Sequence, residues 1–161
     1  MTKILVVDPE KCTGCRTCES ICSFHHEKEF NPAKARIHVL KWEDEGLDVP
    51  MVCQQCESPV CGTVCPVKAL SRDTKTGAIL LNYDACIGCK MCVMACPFGA
   101  LTINPESKKT IKCDLCNGDP QCVEYCPTKA IDYVKATRAT YKKRKEAASR
   151  LGKLIRKLAT P

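Results

Sequence analysis

An α+β fold of short strand–loop–helix units, closed by a basic helix at its C-terminal end, is what this 161-residue sequence predicts. Three observations predict it. Sixteen cysteines fall in four blocks of four, with none left over. Beside the blocks lie apolar runs of a few residues bounded by turn signals, the mark of small strands. After the last block, aliphatic residues recur at helical spacing along a lysine- and arginine-rich segment.

The first block is Cys12, Cys15, Cys18 and Cys22, and the second is Cys53, Cys56, Cys61 and Cys65. The third is Cys86, Cys89, Cys92 and Cys96, and the fourth Cys113, Cys116, Cys122 and Cys126. The first and third share the spacing C-x2-C-x2-C-x3-C, which ligates [4Fe–4S] clusters in bacterial ferredoxins. Three closely spaced thiolates wrap one cube, and the fourth, displaced by a helical turn, reaches a different one. Sixteen thiolates at four per cube make room for four [4Fe–4S] clusters, which implies electron transfer. Proline follows three terminal cysteines, as Cys65-Pro66, Cys96-Pro97 and Cys126-Pro127, and ends the helical turn there. Cys22 is followed by Ser23 and departs from that pattern.

Two other uses of cysteine fit poorly. A disulfide scaffold belongs to an oxidising compartment. Residues 1–10 lack the apolar length and cleavage site of a signal peptide, and no twin-arginine pair is present. Structural zinc takes paired C-x2-C knuckles separated by a longer loop, and a third cysteine three residues later overcrowds a tetrahedral site. The histidines that follow the first block, His25 and His26, could ligate iron, but sixteen cysteines leave no vacancy. They read as structural or surface residues.

Composition agrees with a cluster-stabilised chain. Aromatic residues are 5% of the total, too few for an ordinary core in a small protein. The clusters must supply the missing stabilisation, so the metal-free chain is expected to be largely unfolded. No apolar stretch approaches the roughly 20 residues that span a bilayer. The longest, around residues 87–101, is interrupted by Lys90. A cytoplasmic chain is expected. The formal charge is +7, but residues 135–161 carry +9 and the rest −2. Each oxidised cube adds about −2, so four add about −8 and leave an acidic body beside a basic tail.

Taken in order, residues 4–7 read as a strand leading to the first block. Residues 24–52 form the main insertion, with residues 36–42 as a strand and an acidic turn at Glu43-Asp44-Glu45-Gly46. The insertion is expected to pack on the cluster units and to present part of a docking face. Trp42, at the end of that strand, reads as a packed or partly exposed aromatic. Residues 69–73 and 78–82 flank Thr74-Lys75-Thr76-Gly77, a hairpin signal with Gly77 at a left-handed position. Residues 101–104 and 110–113 make a second hairpin, and 130–134 a closing strand. Gly14 and Gly88 occupy the same place in their blocks, C-x-G-C, where a side chain would collide or force an unfavourable backbone angle. Their N–H groups are expected to bond the sulfurs. Nothing provides a nucleophile, a positioned acid–base pair or a phosphate loop, so no catalytic site is read.

In the tail, Ala147, Ala148, Leu151, Leu154, Ile155 and Leu158 form one stripe opposite Lys142, Lys143, Arg144, Lys145, Arg150, Lys153, Arg156 and Lys157. This reads as a basic amphipathic helix docked on its own body or on another subunit, with self-association included. An anionic membrane surface is the next reading. Nucleic acid is disfavoured, because the apolar stripe is aliphatic and holds no aromatic side chain to stack on bases.

Four blocks in this order resemble the four-cluster iron–sulfur subunits of the dimethyl-sulfoxide-reductase family. The second block, C-x2-C-x4-C-x3-C, and the fourth, C-x2-C-x5-C-x3-C, match that pattern, and the likeness covers Asp8 to about Tyr133. The short chain and the segment from Cys22-Ser23-Phe24-His25-His26 to Phe30-Asn31-Pro32 look most like small cytoplasmic subunits partnering tungsten enzymes of the aldehyde oxidoreductase type, benzoyl-CoA reductases among them. The resemblance implies crossed ligation. One cube takes Cys12, Cys15, Cys18 and Cys126, and its neighbour Cys22, Cys113, Cys116 and Cys122. A third takes Cys53, Cys56, Cys61 and Cys96, and the fourth Cys65, Cys86, Cys89 and Cys92. It also implies two ferredoxin-like two-cluster domains, one nested in the other: residues 1–40 with 105–133 outside, 41–104 inside, and 134–161 as the helical tail. The partner implied is a large tungsten- or molybdenum-containing catalytic subunit, with a flavin- or NAD-linked subunit or a ferredoxin as a further class. A free polyferredoxin shuttle and a cluster-bearing nucleic-acid or regulatory protein are the rival functions.

Overall fold

Among the described residues, short strands pair in twos, because the cysteine blocks interrupt the chain before any strand can lengthen. The computed structural model describes residues 3–137 and Ser149. Four antiparallel ribbons result: β1 (Lys3–Val7) with β8 (Ile131–Lys135), β2 (His38–Trp42) with β3 (Leu47–Met51), β4 (Leu70–Arg72) with β5 (Ile79–Leu81), and β6 (Leu101–Ile103) with β7 (Thr110–Lys112). The ribbon β1–β8 joins the two ends of the described chain, with Lys3 opposite Lys135 and Val7 opposite Ile131. Four helices carry cysteines: α1 (Thr17–Glu27), α2 (Val60–Thr63), α3 (Met91–Ala95) and α4 (Gln121–Glu124). α1 packs against α4, and α2 against α3.

The hairpins expected around Gly77 and around residues 105–109 are present as β4–β5 and β6–β7. Gly77 has φ +77°. One strand was not anticipated. β3 contains Asp48 and Pro50, which break the alternation a strand normally shows, but a two-stranded ribbon has only edges and tolerates a proline. The turn between β2 and β3 is the acidic segment, closed by Gly46 at φ +62°.

Two boundaries expected from the sequence fall inside strands. The division between residues 40 and 41 cuts β2, whose Val39 joins Val52, just beyond β3, in the larger core. The division at 133/134 cuts β8, so Val134 and Lys135 are strand residues paired with Ile4 and Lys3 and are not the start of a helix. The rest of the expected tail helix lies outside the described residues, save Ser149, which is helical.

There are two cores, and cysteines belong to both. The larger gathers Leu5, Ile37, Leu115 and Ile131 with Cys18, Cys22, Cys122 and Cys126. The smaller gathers Leu70, Ile79 and Leu101 with Cys92, and Cys61, Cys65 and Cys96 pack against it. The larger core thus draws on both ends of the chain and also takes Val52 and Ala78 from its middle, while the smaller draws on the middle alone. Among the described residues, no helix is long and apolar enough to cross a membrane.

Candidate metal centres

Each block begins with the same backbone device. The residue before the second cysteine is left-handed in all four: Gly14 at φ +63°, Gln55 at +47°, Gly88 at +70° and Leu115 at +60°. That turn folds the loop back so that an N–H faces the first cysteine, and the Gly14 and Leu115 amides bond the Cys12 and Cys113 thiols. Glycine accepts this conformation freely, whereas a side chain there is strained. At Gly14 a Cβ would also lie 2.4 Å from the Asp48 carboxylate, while at Gly88 it would meet nothing within 4 Å. Gln55 and Leu115 offset the strain by burial, at 7% and 0% exposure.

The end of three blocks is equally regular. After Cys-Pro, the chain turns left-handed at Lys68, Gly99 and Lys129 and then buries Ala69, Ala100 and Ala130. The Ala69 and Ala130 amides donate to the Cys65 and Cys126 sulfurs, both at 3.3 Å. Cys22, which lacks the proline, reaches the same end differently. Ser23 lets α1 run on to Glu27, and the amide that donates to the Cys22 sulfur at 3.3 Å comes from Arg36. N–H donation to sulfur is what stabilises a thiolate beside a cluster.

None of the sixteen cysteines is in a disulfide. Cys12, Cys15 and Cys18 line one cavity together with Cys126, which is more than a hundred residues away in sequence. Cys122 lies near Cys113, Cys22 and Cys116 and also Cys18, and Cys61 lies near Cys53 and Cys96. Cys92 lies near Cys86. Burial pushes the Cys18 thiol up to about 12, helped by Glu19, and it pushes Cys113 and Cys122 up as well. Burial also opposes ionisation of Cys126, but amides of Ile131 and Ala130 outweigh it and draw that thiol down. Soft thiolate donors, gathered in apolar pockets and met by backbone N–H groups, are the donor set that iron–sulfur cubes require. Loading these pockets must displace protons from the buried thiols.

A polar clamp that the sequence did not reveal ties the first block to the fourth. His26 donates from Nε2 to Asp114 Oδ1 at 3.1 Å and from Nδ1 to the Cys22 carbonyl at 2.9 Å. Arg36 Nη1 donates to Asp114 Oδ2 at 2.8 Å, and Asp114 Oδ1 also accepts the Cys116 amide at 3.0 Å. With acceptors on both nitrogens, His26 is an imidazolium. Burial lowers its pKa, but the bonds to Asp114, Cys116 and Cys22 prevail and raise it to about 12. Asp114 is likewise opposed by burial, yet His26 and Arg36 hold its carboxyl below the usual carboxylate range. His25, His26 and Cys116 could approach a common ion, with ligand atoms within 4.8 Å, but His26 is already engaged by Asp114. Trp42 is half-buried at the end of β2, as expected.

Known proteins share this arrangement. A family described as "4Fe-4S dicluster domain" matches residues 45–136, more than half the chain, and one described as "4Fe-4S binding domain" matches residues 4–26. The chain is 41% identical over 138 residues to the aliphatic sulfonate oxidoreductase, polyferredoxin-like subunit, of Pyrococcus furiosus, covering 86% of this chain and 79% of that one. It is 35% identical over 176 residues to the electron transport protein HydN of Escherichia coli, covering 92% and 98%. Among solved structures it is similar to a chain of the active site complex BamBC of benzoyl coenzyme A reductase, with TM-score 0.50, 29% identity and coverage of 83% and 79%. The relatives are named as electron transport proteins and subunits, which agrees with four cysteine-lined sites. The chain therefore belongs to the 4Fe-4S dicluster family, and is an electron-transfer iron–sulfur protein that carries four [4Fe–4S] clusters.

Proposed function

We propose that this chain is the electron-transfer subunit of a larger tungsten- or molybdenum-dependent oxidoreductase in the cytoplasm of an anaerobically growing cell. The observation that carries the wire is the cavity lined jointly by Cys12, Cys15, Cys18 and Cys126. It supports the crossed ligand set expected for the first cube. The neighbours of Cys122 support Cys22, Cys113, Cys116 and Cys122 as the second set, and those of Cys61 support Cys53, Cys56, Cys61 and Cys96 as the third. Cys65, Cys86, Cys89 and Cys92 make the fourth. An outer unit of residues 1–40 and 105–133 then encloses an inner one of 41–104, with the β2–β3 ribbon bridging them. The β1–β8 pairing and the two cores favour this nesting.

When bound, each cube supplies one-electron exchange without substrate. The chain holds the thiolates, sets their hydrogen bonds and excludes water. Exposed apolar side chains favour a bound subunit over a free shuttle. Ile87, Met91, Met94 and Phe98, all around the third block, are large and exposed, with Met94 at 88%. Such surface is usually covered by a partner. The relatives point the same way, since one is a subunit of an aliphatic sulfonate oxidoreductase and another of formate hydrogenlyase. A flavin- or NAD-linked subunit or a ferredoxin is the proposed second exchange partner. The basic tail is proposed to contact another subunit.

The test is anaerobic native purification through this chain, with metal analysis of the complex. Tungsten or molybdenum in a fixed ratio to the chain is the expected result. A monomer that carries iron alone and reduces several unrelated acceptors would favour the free shuttle.

A further inference from the structure

The strand β7 buries a cation. Thr110, Ile111 and Lys112 are 1%, 3% and 3% exposed. An ammonium in such a place must be compensated by hydrogen bonds and opposite charge. Lys112 Nζ donates to Gln55 Oε1 at 3.2 Å and to the Cys113 carbonyl at 3.0 Å, and both acceptors are neutral. The charges that would answer it are the thiolates of the loaded sites, since Lys112 lies near both Cys61 and Cys113.

Gln55 completes the seam. It stands in the second block at the left-handed position that the first and third blocks give to glycine. Its carboxamide donates to the Cys113 carbonyl at 3.0 Å and accepts from the Ile79 amide at 2.8 Å as well as from Lys112. One buried network thus ties the loop of Cys53 and Cys56 to the start of the fourth block. Cys53 also lies near Cys113.

We propose that Lys112, held in place by Gln55, is the charge that sets the potentials on both sides of the junction between the two cluster pairs. This rests on the ligand sets proposed above, which put Cys61 in the third set and Cys113 in the second. Reduction adds one negative charge to a site, and a fixed cation in a low-dielectric interior makes that addition easier. Standing between two sites, Lys112 raises both relative to the outlying pair. Transfer across the junction oxidises one side by one electron and reduces the other by one. The middle of the wire fills first, and electrons pass outward from there.

The test uses the full-length, cluster-loaded protein with Lys112→Met, which keeps length and removes charge, and Lys112→Arg, which keeps charge. Anaerobic redox titrations followed by electron paramagnetic resonance, with iron counted in each sample, give the readout. Lys112→Met is expected to keep its iron and move two of the four clusters to lower potential, while the other two move less. Lys112→Arg should retain the wild-type pattern. Unmoved potentials at full iron content, or an equal shift of all four, would overturn the proposal. So would loss of iron in Lys112→Met, which would make Lys112 a packing residue. Fewer than four titrating clusters in the wild type would instead defeat the ligand sets, so the two failures are distinguishable.

Discussion

Two glycines with the same role in the sequence have unequal surroundings. Gly14 and Gly88 are both left-handed, and alanine at either pays the backbone penalty of about 1–2 kcal/mol. At Gly14 the new Cβ would also drive into the Asp48 carboxylate, 2.4 Å away. Gly14→Ala is therefore expected to lower the anaerobic melting temperature more than Gly88→Ala does, and equal shifts would show that Asp48 yields freely. His26 makes a second prediction. Its pKa is raised from 6.5 to about 12 in the folded chain, so its contribution to stability is complete below about pH 6.5 and is lost as pH rises towards 12. The stability gap between wild type and His26→Phe should narrow from pH 6 to pH 9 in anaerobic melts. A gap that widened would reverse the assigned protonation state. None of the clamp was legible in the sequence, because His26 and Asp114 are 88 residues apart and nothing local to either predicts their pairing. The cysteines were legible for the opposite reason: their spacing within each block is local.

α1 is the long helix because one proline is missing. The three other blocks stop their helices near the terminal cysteine, while Ser23 lets α1 continue to Glu27. Ser23 is fully buried, donates to the Ser20 carbonyl at 2.9 Å and accepts the Asn31 amide at 3.1 Å. Ser23→Pro would restore the sequence pattern of the other blocks. It is nonetheless expected to cost about 3 kcal/mol or more, by removing a helical donor and clashing with the preceding turn. Urea unfolding under anaerobic conditions reads this out, and a neutral effect would mean that α1 past Cys22 is dispensable. The hairpins around Gly77 and residues 105–109 were readable because their turn residues are adjacent. β3 was not, since Asp48 and Pro50 hide its alternation and only its pairing with β2 makes it a strand.

For the whole molecule, the arrangement that matters is non-local. β1 meets β8, and α1 meets α4, so the first block faces the last. Number and spacing of the cysteines made four sites legible; the ribbon that closes the ends could not be read from two short apolar runs. Crossed ligation makes a specific prediction about Cys22→Ser. It should perturb the same magnetic signal as Cys122→Ser and leave the signal lost in Cys12→Ser largely intact. Co-perturbation with Cys12→Ser would assign Cys22 to the first site and undo the crossing.

The central claim is that sixteen thiols assemble four iron–sulfur cubes, and the iron and acid-labile sulfide content of anaerobically prepared protein tests it most directly. About sixteen iron and sixteen sulfide per chain is the expected result, at four of each per cube. About four zinc per chain with little iron and no sulfide would contradict it.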